Sequence, residues 1–202
     1  MENNRSILIR VGIREDAPFI GLTITEAMGH DLCVGLAEGE ENLPNVLKLF
    51  TDLASTETAQ YSYQNTLVAV DKEDKRIGAI IGYDGAGLRE MRKDFISKAN
   101  ELLDWNVTVE EADNWEPETN SSEIYLDSLY VIPEYRNRGI ATSLIKAVIE
   151  RYRNIGKPFG LLVEPNNNKA HKLYKEIGFK EDGVNNFCGE TMIHLSYEDN
   201  KK

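Results

Sequence analysis

The sequence predicts a mixed α/β fold, and three observations carry that expectation. Short apolar runs are bounded by glycine, proline and polar turns. Longer stretches repeat apolar residues at three and four. The last third alternates strand, helix, strand, helix. The chain has 202 residues, 41% of them hydrophobic, enough to bury roughly 70% of the surface its unfolded form exposes. Residues 1–202 are expected to form one domain, interrupted by an inserted helix and acidic loop at about 85–122.

The elements follow in order. SILIRVGI (6–13) is expected as a strand. Asp16, Ala17 and Pro18 signal a helix start, and Ile20, Ile24, Ala27 and Met28 give its stripe up to Gly29. A second helix is predicted over about 41–55, where Leu43, Val46, Leu47, Phe50 and Leu53 recur at helical spacing. TLVAV (66–70) and IGAIIGY (77–83) form a hairpin around the polar turn DKEDKR. Leu88, Met91, Phe95, Ala99 and Leu102 space the inserted helix. After Trp105 comes the acidic stretch with Glu110, Glu111, Asp113, Trp115, Glu116 and Glu118. EIYLDSLYVI (123–132) is a strand stopped by Pro133. The helix over about 139–153 buries Ile140, Leu144, Ile145, Val148, Ile149 and Tyr152 and ends before Gly156 and Pro158. FGLLVE (159–164) is a short strand, and Asn166 to Asn168 offer a cap for a helix over 168–177 closed by Gly178. FKEDGV and ETMIHLSY are the final strands.

Composition excludes several function classes. A formal charge of −11 disfavours binding to nucleic acid or to an acidic membrane surface and mildly favours a cationic partner. No apolar run is long enough to span a bilayer, and the first residues are too short and polar for a signal peptide. Cys33 and Cys188 are far apart and form no CxxC, so two reduced thiols in the cytoplasm are expected. His30, His171 and His194 are scattered without metal-ligand spacing.

Against this acidic background EYRNRGIATSLI (134–145) concentrates positive charge at a helix entrance. The first N–H groups of a helix lack internal partners and sit at the positive end of its dipole. Gly139 lets an oxygen approach the backbone, and Arg136 and Arg138 add forked donors suited to phosphate. The residues alone thus point to a phosphorylated cofactor at the 136–142 turn, or to a polar cap with two solvated arginines. The phosphate loop GxxxxGK[ST] is absent. GYDGAGLRE resembles a dinucleotide fingerprint, but Glu90 stands where glycine or alanine is needed and would repel a pyrophosphate.

LDSLYVIPEYRNRGIATSLIKAVIERY resembles the acyl-CoA motif of the GNAT N-acetyltransferase superfamily, with Arg136, Gly139 and Ala141 in its Arg/Gln-x-x-Gly-x-Gly/Ala signature. LLVEPNNNKAHKLYKEIGFKEDG resembles that superfamily's second motif through Asn167, Ala170, Leu173, Tyr174, Gly178 and Phe179. The resemblance implies a mixed, mostly antiparallel sheet flanked by helices, in which strands 123–132 and 159–164 form a splayed parallel pair. It implies N-acetyl transfer from acetyl-CoA, as cosubstrate, to a small-molecule or peptide primary amine. The other outcome is an acyl-CoA-binding regulatory module of the same fold without turnover. Dimers are frequent in the family, so a homodimer is allowed, but no feature fixes an interface.

Residue by residue, the resemblance assigns the pantetheine arm to the backbone of Leu129 and Val131. The pyrophosphate falls to the turn through Arg136, Asn137, Arg138, Gly139, Ile140, Ala141 and Thr142, with Asn167 helping. Lys169 and Lys172 stand either at the 3′-phosphate or on a solvated face. Tyr174 becomes the general acid for the leaving thiolate, since a phenol of pKa about 10 can supply that proton; a core tyrosine with a satisfied hydroxyl is the alternative. The family's usual glutamate position is Tyr125 here, which makes a poor base. Period-two alternation puts Glu123, Tyr125 and Asp127 on one face, leaving Asp127 or Glu123 as the base and Glu164 as a weaker candidate. The family usually joins strands 77–83 and 123–132 tightly. The acidic stretch 105–123 is therefore expected either as a wall attracting a cationic acceptor by charge and cation–π contact, or as a solvated loop whose tryptophans pack on the inserted helix.

Overall fold

The computed structural model describes residues 7–199. The predicted strand 6–13 appears as β1 (Leu8–Val11); its first residue, and most of the segment tested for a signal peptide, lie outside the described residues. Helix α1 (Ala17–Met28) begins with Pro18 in its first turn, as the sequence implies. Helix α2 (His30–Ala37) was not predicted. It buries only Cys33 and Ala37, and so lacks a readable stripe. Helix α3 (Leu43–Ala54) buries Val46, Leu49, Phe50, Leu53 and Ala54. Strands β2 (Thr66–Val70) and β3 (Arg76–Asp84) form the expected hairpin, and β2 is buried throughout.

Between β3 and β4 stand helix α4 (Leu88–Leu103) and a short helix α5 (Val109–Ala112). The sequence reads the α5 region as loop, but Thr108 and Glu111 form a reciprocal capping box that nucleates one turn. Strand β4 (Ile124–Val131), helix α6 (Ile140–Tyr152), β5 (Phe159–Val163), α7 (Asn168–Ile177), β6 (Lys180–Phe187) and β7 (Glu190–Tyr197) complete the chain.

All seven strands join one sheet in the order β1-β2-β3-β4-β5-β7-β6, and only β4 and β5 run parallel. Two helical layers cover it. On one face α6 and α7 pack on Leu67, Ile80, Ile124, Leu126, Val131, Phe159 and Leu161. On the other face α1 to α4 enclose Ile81, Tyr83 and Tyr125. Cys33 is buried, Cys188 is exposed, and both thiols are free. No helix among the described residues is long and apolar enough to cross a membrane.

Two irregularities place the site. In β4, Asp127 and Ser128 together stand opposite the single residue Ile81 of β3, a bulge that resets the alternation. Ile124 and Leu126 before it, and Leu129 and Val131 after it, therefore all lie toward α6. Strands β4 and β5 pair only at Ile124–Phe159 and Tyr125–Gly160 and then part. The sheet edge at β1 is clamped by Asp16, which is fully buried. It accepts from Arg10 Nη1 at 2.5 Å and Nη2 at 3.1 Å, from Arg76 Nε at 2.8 Å and from the Ile13 N–H at 2.9 Å. These partners outweigh the cost of burial and hold its carboxyl below the usual carboxylate range. Asp16→Ala would leave two guanidinium groups facing an empty site. Urea denaturation should show a loss of about 3 kcal/mol, with the unfolding slope unchanged.

Candidate active site

The site is built where β4 and β5 part. The Ile132 N–H donates to the Ile77 carbonyl at 3.0 Å, which makes Val131–Gly78 a non-hydrogen-bonded pair of the antiparallel ladder. Leu129, paired with Ile80 two residues earlier, shares that phase. The N–H and C=O groups of both residues thus point away from β3 and into the gap. Arg136 Nε closes the Val131 carbonyl at 2.9 Å, so the gap's far end is already bounded by the turn.

The turn itself follows from local chemistry. Pro133 ends β4 and starts a short 3₁₀ turn, after which Asn137 (φ 60°) and Gly139 (φ 75°) take left-handed conformations. A Cβ at Gly139 would meet nothing within 4 Å, so the glycine serves conformation and leaves open space above the backbone. The Arg136 N–H still finds Pro133, and the Ser143 N–H finds Gly139. Between them, the six successive N–H groups from Asn137 to Thr142 have no acceptor among the described residues. Six unpaired amides at the mouth of a 13-residue helix make a site fitted to a diphosphate. Arg138 donates to the Glu134 carbonyl and stacks on Tyr135, while Arg136 lies over Tyr130.

Helix α7 borders the same gap. Asn167 caps it, its side chain accepting from the Ala170 N–H at 3.1 Å. Lys172 is exposed and lies 4.0 Å from Glu176 on the same helix. Tyr174 packs edge-on against Phe179 at 5.7 Å, and burial pushes its phenol up to about 12. Its hydroxyl has no hydrogen-bond partner among the described residues, unlike Tyr152, which donates to the Gly82 carbonyl at 2.8 Å.

The two candidate bases have opposite surroundings. Glu123, 2% exposed, accepts from Thr119 Oγ1 at 2.6 Å, from the Asn120 N–H at 3.3 Å and from His194 Nε2 at 3.0 Å. These partners hold it below the usual carboxylate range despite burial. His194 bonds Asp182 through Nδ1, and its two carboxylates raise it to about 9. Gly160 makes room for this clamp, since a Cβ there would collide with the Glu123 carboxylate. Asp127 is half-buried and touches only neutral hydroxyls. Ser128 Oγ donates to Oδ1 at 2.7 Å and Tyr83 Oη to Oδ2 at 3.0 Å. Burial and the nearby Glu118 charge raise it to about 6. Glu164 is exposed at the end of β5, and only its backbone carbonyl is engaged, by Asn167 N–H and His171.

In the 85–122 segment Glu110, Glu111, Asp113 and Glu116 are exposed, which both a charged wall and a solvated loop would show. Trp105 packs on Phe95 at 5.8 Å and Trp115 on Trp105 at 6.1 Å, and Arg92 already lies over the Trp115 ring. Trp105 is thus packed on the inserted helix, while Trp115 stays 36% exposed and rests on Trp105 and Arg92. The glycines of the dinucleotide-like stretch also have a packing reason, since a Cβ on Gly85 would strike the Asn120 carbonyl. The residue that reaches the site is Glu118, which sequence reasoning listed only among the acids of the loop.

Comparison with known proteins bears on the family and the fold. The model of the Acetyltransferase (GNAT) family matches residues 40–179. A thialysine N-epsilon-acetyltransferase of Sus scrofa is 44% identical over 80 residues, 36% of this chain and 47% of that protein. The spermine/spermidine N(1)-acetyltransferase of Bacillus subtilis is 25% identical over 81 residues, 39% of this chain and 53% of that protein. The chain spans about half the length of these curated relatives. An N-acetyltransferase structure from Staphylococcus aureus Mu50 superposes with a TM-score of 0.70 and 27% identity, covering 94% of this chain and 100% of that one.

The His194 clamp has a pH signature. Its folded pKa of about 9 exceeds the ordinary 6.5, so its stabilisation is complete below 6.5 and lost as pH rises through 9. Glu123 and Asp182 are shifted down, so both stay charged across that window. His194→Gln should cost on the order of 2 kcal/mol at pH 6.5, and urea denaturation should show the difference closing towards pH 10.

Proposed function

Because this chain belongs to the acetyltransferase (GNAT) family, we propose that it transfers an acetyl group from acetyl-CoA to a small primary amine by direct attack in a ternary complex. The carrying observation is the run of six unpaired N–H groups at 137–142, set where β4 turns its free backbone edge into the gap. The turn would take the diphosphate, with Arg136 and Arg138 beside it. The backbone N–H and C=O of Leu129 and the N–H of Val131 would take the pantetheine amides, and Asn167 would border the arm. Bound there, acetyl-CoA supplies an activated acyl group as a thioester.

This chain's own groups then manage two protons. An alkylammonium acceptor must become an amine before it attacks. Asp127 suits that step, because a carboxylate at about 6 is ionised near neutral pH yet holds a proton better than an ordinary one. Glu123 does not suit it, since His194 and Thr119 occupy its oxygens. The departing thiolate needs a proton, and Tyr174 holds one on a hydroxyl with no competing partner.

The acceptor is read as a small cationic amine, free or at a peptide terminus. The chain carries −11, Asp127 and Glu118 stand together, and the relatives named above act on thialysine and on spermine or spermidine. Two free thiols fit a cytoplasmic location.

Calorimetry with acetyl-CoA and thiol release over a panel of amines test this directly. Arg138→Glu should weaken acetyl-CoA binding roughly tenfold or more. Tyr174→Phe should leave binding unchanged and lower kcat about a hundredfold. Binding without thiol release for any amine would instead assign a non-catalytic acyl-CoA-binding module, and a kinetically silent Tyr174→Phe would remove the acid assignment.

A further inference from the structure

The proposed base is not held by its own strand alone. Tyr83, 1% exposed on β3, places its hydroxyl between two carboxylates: 3.0 Å from Asp127 Oδ2 and 3.3 Å from Glu118 Oε1. Glu118, 4% exposed, comes from the 85–122 segment. It is fixed by an ion pair with Arg92 of α4 and by Gln60 Nε2 at 3.2 Å. We infer that Glu118 is a positioning residue for the acetyl transfer, acting on Asp127 through the Tyr83 hydroxyl. The inference rests on the assignment of Asp127 as base.

The geometry permits a specific exchange. The Tyr83 hydroxyl has one proton and two acceptors. With Asp127 ionised, Tyr83 donates to Asp127, the nearer oxygen. When Asp127 takes the proton shed by an acceptor ammonium, its own O–H donates to Tyr83 Oη. The Tyr83 proton then turns to Glu118. No bond other than the ammonium N–H is broken, and the transferred proton ends on Asp127. Glu118 thus gives the protonated base a complete hydrogen-bond chain. As a neighbouring negative charge it also opposes ionisation of Asp127. Arg92 works the other way, because it neutralises Glu118.

The remaining charged and titratable groups are few. Tyr61 and Tyr125, on the flanking loop and on β4, feel both carboxylates and are held neutral, with pKa well above the ordinary tyrosine range. Cys188, at the β6–β7 turn, feels Glu118 and Arg92, and its pKa is raised. On α1, which packs against β4, Glu26 reaches Tyr130. None of these can replace Glu118 as the second acceptor of the Tyr83 proton, because among the described residues only Glu118 bonds that hydroxyl besides Asp127.

The test is a ¹³C carboxyl NMR titration of Asp127 in the uncomplexed full chain, beside the acid limb of kcat/KM for an accepted amine. The wild type should titrate near 6. Glu118→Gln should lower the midpoint by about one unit, and Arg92→Met should raise it. In a Tyr83→Phe background, which keeps the ring, the effect of Glu118→Gln should shrink, since the connecting hydroxyl is gone. The acid limb should follow the NMR midpoint in each variant, with KM for acetyl-CoA unchanged. A merely structural Glu118 would not move the midpoint in opposite directions in the two variants. If folded Glu118→Gln, or Arg92→Met should the first not fold, leaves the midpoint in place, the inference is overturned. If the midpoint moves and the rate profile does not, Asp127 is not the base, and the positioning role falls with that assignment rather than with the coupling.

Discussion

Everything functional in this molecule depends on two strands that stop pairing. A parallel neighbour would normally consume the backbone groups along a strand's edge, and β4 and β5 meet over only two residue pairs. From there the β4 edge faces open space, where an unsatisfied row of donors and acceptors would be costly if it were dry. The fold leaves that edge open and ends it at a turn whose own amides are also unpaired. A core that satisfied every polar group would have no use for Gly139 or for a helix without a side-chain cap. The same residues that make the fold locally incomplete make it able to receive an elongated ligand carrying both amides and phosphates.

The polar groups around this gap divide by how completely they are partnered. Glu123 and His194 share a closed clamp that ties β4 to β7 and reaches Asp182 on β6. Its groups are ionised and mutually satisfied, so it contributes rigidity beside the point where the strands part. Asp127 and Tyr174 are left with neutral partners or none, and burial shifts both upward. A group held by an opposite charge resists changing its protonation state. Asp127, without one, can change state near neutral pH, whereas Tyr174 keeps its proton there. The division separates structural from chemical carboxylates more sharply than their position in the sequence does.

Much of this was legible in the sequence, and the limits have physical causes. The turn was legible because its chemistry is local: proline, two arginines and a glycine act within one helix turn. Leu129 and Val131 were legible from the motif they precede, and the bulge at Asp127 and Ser128 left their place on the α6 side intact. Glu123 and Asp127 were indistinguishable, because their difference lies in a histidine 71 residues away from Glu123. Helix α2 was missed because it is 8 residues long and buries only small side chains. Glu118 was one acid among several in a stretch where only tertiary packing selects which carboxylate turns inward.

That selection bears on what the 85–122 segment is for. Glu110, Glu111, Asp113 and Glu116 face solvent, where salt screens them and each contributes little. Glu118 alone among the acids of the stretch is taken inside and met there by an arginine from the same segment, while Trp105 packs on Phe95 and carries the more exposed Trp115. A buried ion pair is rarely a gain in stability over apolar packing. Its justification has to come from what the charge does to its neighbours. Here the titratable groups that feel it are three tyrosines, Cys188 and one aspartate, and of these the aspartate is the one shifted towards neutral pH. With Asp127 as the proposed base, the segment would act on the chemistry through a single side chain, by way of a hydroxyl that belongs to the sheet.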